Sequence, residues 1–321
     1  MNPRVARPSP ALPLVVLIAG LALGLARPAP ARADTPPPPP ASKAIAKPPA
    51  KVGPARAVDA IIADNINAMG GAETMRKHHS LRTKMTITFQ GLGIKGTAEH
   101  LAAEGDRALT ITNIPSVAST REGSDGTRSW AQDPINGLRI LTDVEAEQAR
   151  IEAAWNGELR LKELFTKIEA TNDVGSDGAA VECLVLTPKL GSATTRCFDA
   201  KTHLGVSERG VRAGPQGQTP FVARVKDWRP VGDVKMPFLT EMQVGPLSFV
   251  GTVTSAELDG VIDPGAFAVP EPSGGAGGSN GKAGAAGKAA GVKKPRAGKL
   301  EVKAEGAPKG PAKAGDSTPG R

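Results

Sequence analysis

The sequence predicts a mainly β (α+β) fold, a single large antiparallel sheet that curls and is covered by helices. Three observations predict it. Residues 82–89 (RTKMTITF) alternate strictly, with Met85, Ile87 and Phe89 on one face and Lys84, Thr86 and Thr88 on the other, the mark of a strand with one apolar and one wet face. About eleven such candidate strands follow one another across Gly- and Asp-containing turns at short spacing, as in a meander. Two segments, 55–79 and 143–164, carry helical patterning instead. A strongly twisted sheet of this size curls, and its apolar inner face needs a cover that the two helical segments supply. Two packed sheets with the helices outside are the alternative.

The N-terminal segment is not domain material. Arg4 and Arg7 precede the apolar run 11–26, and Ala29-Pro30-Ala31-Arg32-Ala33 supplies small residues in an A-x-A pattern, so residues 1–33 have the form of a secretory signal. The run is short for a membrane-spanning helix, which needs about 20 apolar residues. An uncleaved N-terminal anchor is the alternative. Residues 34–54 form a Pro-rich linker, extended and unable to pack a core. The domain proper is expected over 55–270. Residues 271–321 are Gly, Ala, Lys and Pro with almost no large apolar side chains, a composition that predicts disorder.

Within the domain, Val58, Ile61, Ile62, Ile66 and Met69 recur at helical spacing, and Gly70-Gly71 ends that helix. A short helical turn is expected over 72–79. Its His78-His79 pair does not read as a metal site, because adjacent helical residues point about 100° apart and no neighbouring acid or Cys completes a ligand set. Strands are expected at 82–89, 94–103, 106–114, 116–122 and 127–132, with Leu109 and Ile111 sharing a face. Residues 133–137 are turn chemistry. The helical region 143–164 opens on Asp143, a candidate cap, and Gly157 divides it. Further strands follow at 164–171, 203–212, 220–229, 238–247 and 248–258, with a closing turn at Asp263-Pro264-Gly265-Ala266-Phe267.

The most informative stretch is 179–199, two strands and a tight turn. Val181, Cys183 and Val185 share a face. The loop Lys189-Leu190-Gly191 ends in Gly, as a three-residue hairpin loop with a left-handed last residue wants. That register sets 188 opposite 192 and therefore Cys183 opposite Cys197, the only two cysteines in the chain. In an exported protein the pair reads as a disulfide, with two buried free thiols as the alternative.

Charge sorts by segment. The net charge is +8, yet residues 1–56 carry +7 and residues 271–321 carry +6, which leaves −5 on 57–270. The folded part is mildly acidic, so a nucleic-acid-binding surface is not expected. The basic tail suits loose contact with anionic envelope polymers or lipid surfaces, or simply solubility.

No catalytic motif emerges. The string GSDG at 123–126 lacks the spacing and the strand-to-helix setting of a nucleophile elbow. The four His, at 78, 79, 100 and 203, sit beside no Ser or Cys nucleophile. No cofactor, metal or catalytic residue is assigned.

The order of several phrases resembles a known family. These are Met69-Gly70-Gly71, the strand Leu81–Phe89, DGTRSWAQDPINGLRIL (125–141) and a helical insert. VECLVLTPKLGSATTRCFDAKTHLGVSER (181–209), VKDWRPVGDVKMPF (225–238) and DPGAFAVP (263–270) complete it. Over 57–270 the chain resembles the outer-membrane lipoprotein-sorting family, the LolA- and LolB-like periplasmic carriers, in its broad and little-characterised branch. The resemblance implies a half-open β-barrel with a helical lid over an apolar cavity, a periplasmic location, and a non-enzymatic carrier. Its partners would be a lipid or acylated lipoprotein cargo and outer-membrane or envelope components, with the protein a monomer. The candidate cavity residues are Met85, Ile87, Phe89, Leu109 and Ile111. Against this stands an envelope scaffold with a filled core and a polymer-contacting tail. The cavity discriminates them, since a carrier needs an apolar void under the helices.

Overall fold

The computed structural model describes residues 54–271. The expected signal segment 1–33, nearly all of the Pro-rich linker and nearly all of the basic tail lie outside the described residues. Two short helices open the domain, α1 (Val58–Ala68) and α2 (Ala72–Met75), separated by Gly70 and Gly71, both at positive φ. Six strands follow: β1 (Ser80–Phe89), β2 (Lys95–Ala103), β3 (Arg107–Ile114), β4 (Ala118–Asp125), β5 (Ser129–Asp133) and β6 (Gly137–Ile140). A helical crossing then runs through α3 (Asp143–Ala153), a 3-10 turn (Gly157–Arg160) and α4 (Leu161–Leu164). Seven more strands complete the domain: β7 (Lys167–Val174), β8 (Ala180–Thr187), β9 (Thr194–Asp199), β10 (Gly205–Gly214), β11 (Gly217–Val231), β12 (Val234–Val244) and β13 (Leu247–Leu258).

All thirteen strands form one antiparallel sheet in the order β6-β5-β4-β3-β2-β1-β13-β12-β11-β10-β9-β8-β7. The first and last strands meet in the middle, with Ile87 opposite Gly251 and Phe89 opposite Phe249. β6 and β7 are the two edges and do not pair with each other, so the sheet stays open. It is nevertheless curved. Helix α3 packs against β4 and β5 on one side and against β10 on the other. In a flat sheet β4 and β10 would stand about 34 Å apart at ~4.8 Å per strand. A helix about 10 Å across can touch both only if the sheet curls round it.

Register assigns the faces. Met85 pairs with Ala98, and Ala98 with Thr112. The concave face thus carries Met85, Ile87, Phe89, Ala98, Ile114, Phe221, Ala223, Met242 and Phe249, one continuous buried cluster. A second cluster joins Ile61 of α1 to Leu161, Leu164 and Phe165 around α4, and to Leu184, Leu186 and Phe198 of β8 and β9. On the convex face Leu101, Leu109 and Trp130 are covered by Phe267 of the C-terminal 3-10 turn (Pro264–Phe267). Trp130 Nε1 donates to the Phe267 carbonyl at 3.3 Å. Its ring lies over Gly123, where a β-carbon would come within 2.6 Å of it.

The hairpin β8–β9 has the predicted register. Cys183 pairs with Cys197 and the two sulfurs are bonded. Gly191 takes φ +96°, as the loop requires. Several boundaries differ from expectation. The sheet has thirteen strands rather than about eleven, and the one outside the expected segments is the short edge strand β6, which follows the Asp133 turn directly. The helical crossing breaks at Asn156 (φ 60°), one residue before Gly157. Asp143, at φ 50°, does not cap α3, and no side chain caps that helix.

Candidate functional site

A cavity of about 490 Å³ lies between α3 and the concave face of β2–β6, and reaches the turns β10–β11 and β12–β13. Its apolar wall consists of Phe89, Ala108, Ala131, Leu141, Ala149, Ala153, Val244, Pro246, Leu247 and Phe249. Phe89 and Phe249 form a tilted pair with ring centroids 5.4 Å apart. The cavity follows from the sequence locally. The apolar positions that α3 gives the lining are Ala149 and Ala153, too small to fill the space between helix and sheet, and β3 and β5 add Ala108 and Ala131.

Charged side chains line the cavity alongside these apolar ones, from the same helix and the same strands. Arg212 of β10 makes a two-point ion pair with Glu152 of α3, at 2.5 and 3.1 Å, and lies 3.6 Å from Glu122 of β4. Arg139 of β6 makes a second two-point pair with Glu145 of α3, at 3.0 and 3.2 Å. Gln148 of α3 completes the attachment. Its amide donates to the Val211 carbonyl at 2.8 Å, and its oxygen accepts from the Ala213 N–H at 2.9 Å. β9 begins too late to pair with that part of β10, so the glutamine side chain takes the place of a neighbouring strand.

Glu122 is the carboxylate with the least support. It accepts no hydrogen bond among the described residues. Burial pushes its pKa up to about 8, the nearby Arg212 guanidinium offsets part of that, and Glu152 adds to it. Arg212 is held above its usual range, because Glu152 and Glu122 outweigh the burial that works against its charge. His100, deep in the wall, bonds Thr110 through Nδ1 at 3.0 Å, and burial lowers its pKa to about 4. The imidazole is neutral. His100, Thr110, Glu122, Ala131 and Arg139 are successive register partners on β2 to β6, so they cross the concave face in one row.

Behind α3 a smaller space of about 80 Å³ adjoins a buried triad. Arg196 of β9 sits between Glu158, at 2.6 Å, and Glu208, at 3.1 Å. At the far end of the crossing Asp106 accepts from Trp155 N–H and from Arg160, at 2.9 and 2.6 Å. Those contacts moor the crossing to the β2–β3 turn.

The residues singled out from sequence divide. Met85, Ile87 and Phe89 lie on the concave face, but Met85 and Ile87 belong to the filled core and only Phe89 reaches the cavity. Leu109 and Ile111 are corrected. They point to the convex face, since Leu109 pairs with Leu101 and Ile111 with Glu99, whose partners on β1 are Arg82 and Lys84. Thr110 and Thr112 face inward in their place. The charged part of the lining was missed altogether. Glu122, Arg139, Glu145, Glu152 and Arg212 come from four elements and share no local motif. His78 also departs from expectation, for two acids distant in sequence flank it: Asp259 and Asp233, each at 2.7 Å. Among the described residues no group of three or more potential ligands is placed to hold a metal, and no helix is long and apolar enough to cross a membrane.

No family model matches the chain and no curated protein matches it. Solved structures resemble it in the course of the chain. One is a LolA superfamily protein from Nitrosomonas europaea, 11% identical, with a TM-score of 0.44, covering 67% of this chain and 98% of that one. Another is a DUF1329 family protein from Desulfovibrio piger, 9% identical, with a TM-score of 0.44, covering 66% and 97%. A domain from Vibrio parahaemolyticus, classed with outer-membrane lipoprotein-sorting proteins, is 11% identical with a TM-score of 0.42, covering 65% and 94%. At such scores the likeness says nothing of the cavity, whose meaning rests on its own geometry.

Proposed function

We propose that this chain is a periplasmic binding and carrier protein that holds the alkyl part of a lipid, or of an acylated lipoprotein, in the cavity under α3, without catalysis. The observation that carries this reading is the unfilled space of about 490 Å³ beneath a helical lid, in a domain whose central core is otherwise packed. That volume lies within the usual range of small-molecule sites. Each methylene transferred from water to the apolar wall contributes about 0.8 kcal/mol. The Ala, Val, Leu and Phe side chains of the lining suit an alkyl chain, and the charged ones suit a polar head. Periplasmic residence is supported by the signal-like residues 1–33 and by a disulfide, which persists in oxidising compartments. A binding role rather than a chemical one is supported by the guanidinium groups of the cavity, which are engaged by carboxylates of the same lining.

The test is native mass spectrometry of the full chain purified from a bacterial periplasm, followed by organic extraction and by titration with a fluorescent fatty acid. A co-purifying lipid or acylated peptide is expected. Ala149→Trp and Ala108→Leu, which narrow the cavity from opposite walls, should weaken probe binding at least about tenfold in folded protein. Bare protein that takes up no probe overturns the reading in favour of a scaffold.

A further inference from the structure

The two ends of the sheet differ in chemistry. In an antiparallel meander alternate turns fall at the same end. One end carries the turns 90–94, 115–117, 134–136, 188–193, 215–216 and 245–246. These six turns hold a single charged residue, Lys189, and a proline in five of them, and two carboxylates bond into them: Asp133 accepts from the N–H groups of Ile135 and Asn136, and Glu147 from that of Lys189. The other end carries 104–106, 126–128, 175–179, 200–204 and 232–233, which have no proline and hold Glu104, Asp106, Asp177 and Asp233 together with Arg128 and Lys201.

Exposed apolar side chains mark three of the turns at the first end, although Val261, 94% exposed, follows β13 at the other. The exposed large hydrophobics among the described residues are Leu92, Ile135, Ile140, Leu190 and Val261, with Ile135 65% exposed and Leu92 50%. Leu92, Ile135 and Leu190 each stand on a turn of the proline-rich end. Ile140 lies on the edge strand and Val261 beyond β13. The three tips are spread round the rim, in the gaps β1–β2, β5–β6 and β8–β9. Their exposure shows that nothing in the described residues buries them. The cavity reaches this same end. Asn136, Pro215, Gln216 and Pro246, all turn residues of the rim, belong to its wall.

We propose that the proline-rich end is a docking face for a lipid bilayer, with Leu92, Ile135 and Leu190 entering the interfacial layer and the cavity mouth turned to the membrane. A bilayer fits better than a protein partner. It is a broad apolar medium that takes separated tips at once, whereas a protein groove favours a contiguous patch. Prolines stiffen the turns, so less conformational freedom is lost when the tips are fixed in lipid. The face goes beyond the carrier reading but gives it a route, because cargo would enter and leave without crossing water.

The test uses the full chain with single cysteines at Leu92, Ile135, Leu190 and, at the far end, Thr127, each labelled with a polarity-sensitive fluorophore. The native disulfide is buried and stays closed. Vesicles of phosphatidylethanolamine and phosphatidylglycerol carry lipid-borne spin labels. The expected result is a blue shift and quenching at positions 92, 135 and 190 and neither at 127. The triple variant Leu92→Ser, Ile135→Ser, Leu190→Ser, with labels placed at Gln216 and again at Thr127, should reduce the rim quenching about tenfold. Equal quenching at both ends, or none at the three tips, overturns the proposal. So does a blue shift at the tips that rises with protein concentration before vesicles are added, which would assign the face to a second copy. Docking needs no cargo, so the cavity-narrowed Ala149→Trp protein should still dock. A protein that docks but takes up no fatty acid loses the carrier reading and keeps this one.

Discussion

Arg212 on β10 and Glu152 on α3 meet through two parallel hydrogen bonds, 2.5 and 3.1 Å long, and join the helix to the sheet across the cavity. Breaking a largely buried pair by removing one partner leaves the other charge without support. Arg212→Met, which keeps most of the volume, is therefore expected to destabilise the domain by about 2–3 kcal/mol. The double variant Arg212→Met, Glu152→Met should recover much of that loss. Urea denaturation of the four proteins in the cycle measures both, and a single variant as stable as the parent would refute the coupling.

Glu122 makes stability depend on pH. Its carboxyl is held near 8 in the fold, against about 4.3 in an unfolded chain. Between those values the folded state binds more protons, so stability falls as pH rises from about 4 to 8 and levels off above. Glu122→Gln removes that slope. The variant should gain about 2 kcal/mol on the parent at pH 8 relative to their difference at pH 5, the full shift being reduced by the quarter of the side chain that still meets the cavity. Parallel melts at the two values check it, and a carbon-13 titration of the Glu122 carboxyl reads the group directly. A midpoint below 5 would refute it.

His78 has the opposite dependence. Burial lowers its pKa, but hydrogen bonds to Asp259 and Asp233 outweigh burial and raise it above its ordinary value. A raised imidazole stabilises the fold fully below the unfolded pKa, near 6.5, and the contribution disappears as pH rises through the folded pKa. The two aspartates are held low, Asp233 by its bond to His78 and Asp259 by its bonds to His78 and the His79 N–H against the pull of burial. Their contribution fails only in acid. His78→Gln should thus be most destabilising near pH 5, by about 1 kcal/mol, and close to neutral above pH 8. A cost that is constant from pH 5 to 8 would contradict the ion-pair account.

The disulfide closes a hairpin that is already local. With 14 residues of separation the chain-entropy model gives about 3 kcal/mol, and residual hairpin structure in the unfolded chain reduces it. Cys183→Ser with Cys197→Ser should cost about 2 kcal/mol in thermal or urea unfolding. Both cysteines are fully buried, so dithiothreitol should reduce the folded protein at the rate of its opening. Rapid reduction under native conditions would show a more accessible hairpin.

Local pattern carried part of this fold, and long-range register carried the rest. The β8–β9 hairpin was readable because its loop, its glycine and its cysteines lie within twenty residues of one another. The alternation of β1 was equally plain. Leu109 and Ile111 were placed on the wrong face for an identifiable reason. Alternation gives the phase within a strand but not which phase faces inward, and here both faces are apolar because residues near Phe267 cover the outer one. Counting register through the turns, from Met85 to Ala98 to Thr112, would have put the threonines inside. The charged part of the lining offered no such signal. Glu122, Glu152 and Arg212 are separated by tens of residues and meet only because the sheet curls.

The neighbouring of β1 and β13 has a consequence for how the chain comes to be folded. The seam at the centre of the sheet joins the earliest strand of the domain to the last. A nascent or partly threaded polypeptide can form two separate half-sheets, but it cannot close them into one until Leu258 is available. Joining ends so distant in sequence is slow. The domain is thus built to stay unfinished until nearly its whole length has emerged. A truncation before β13 should lose far more than one strand, because it leaves two sheets in place of one.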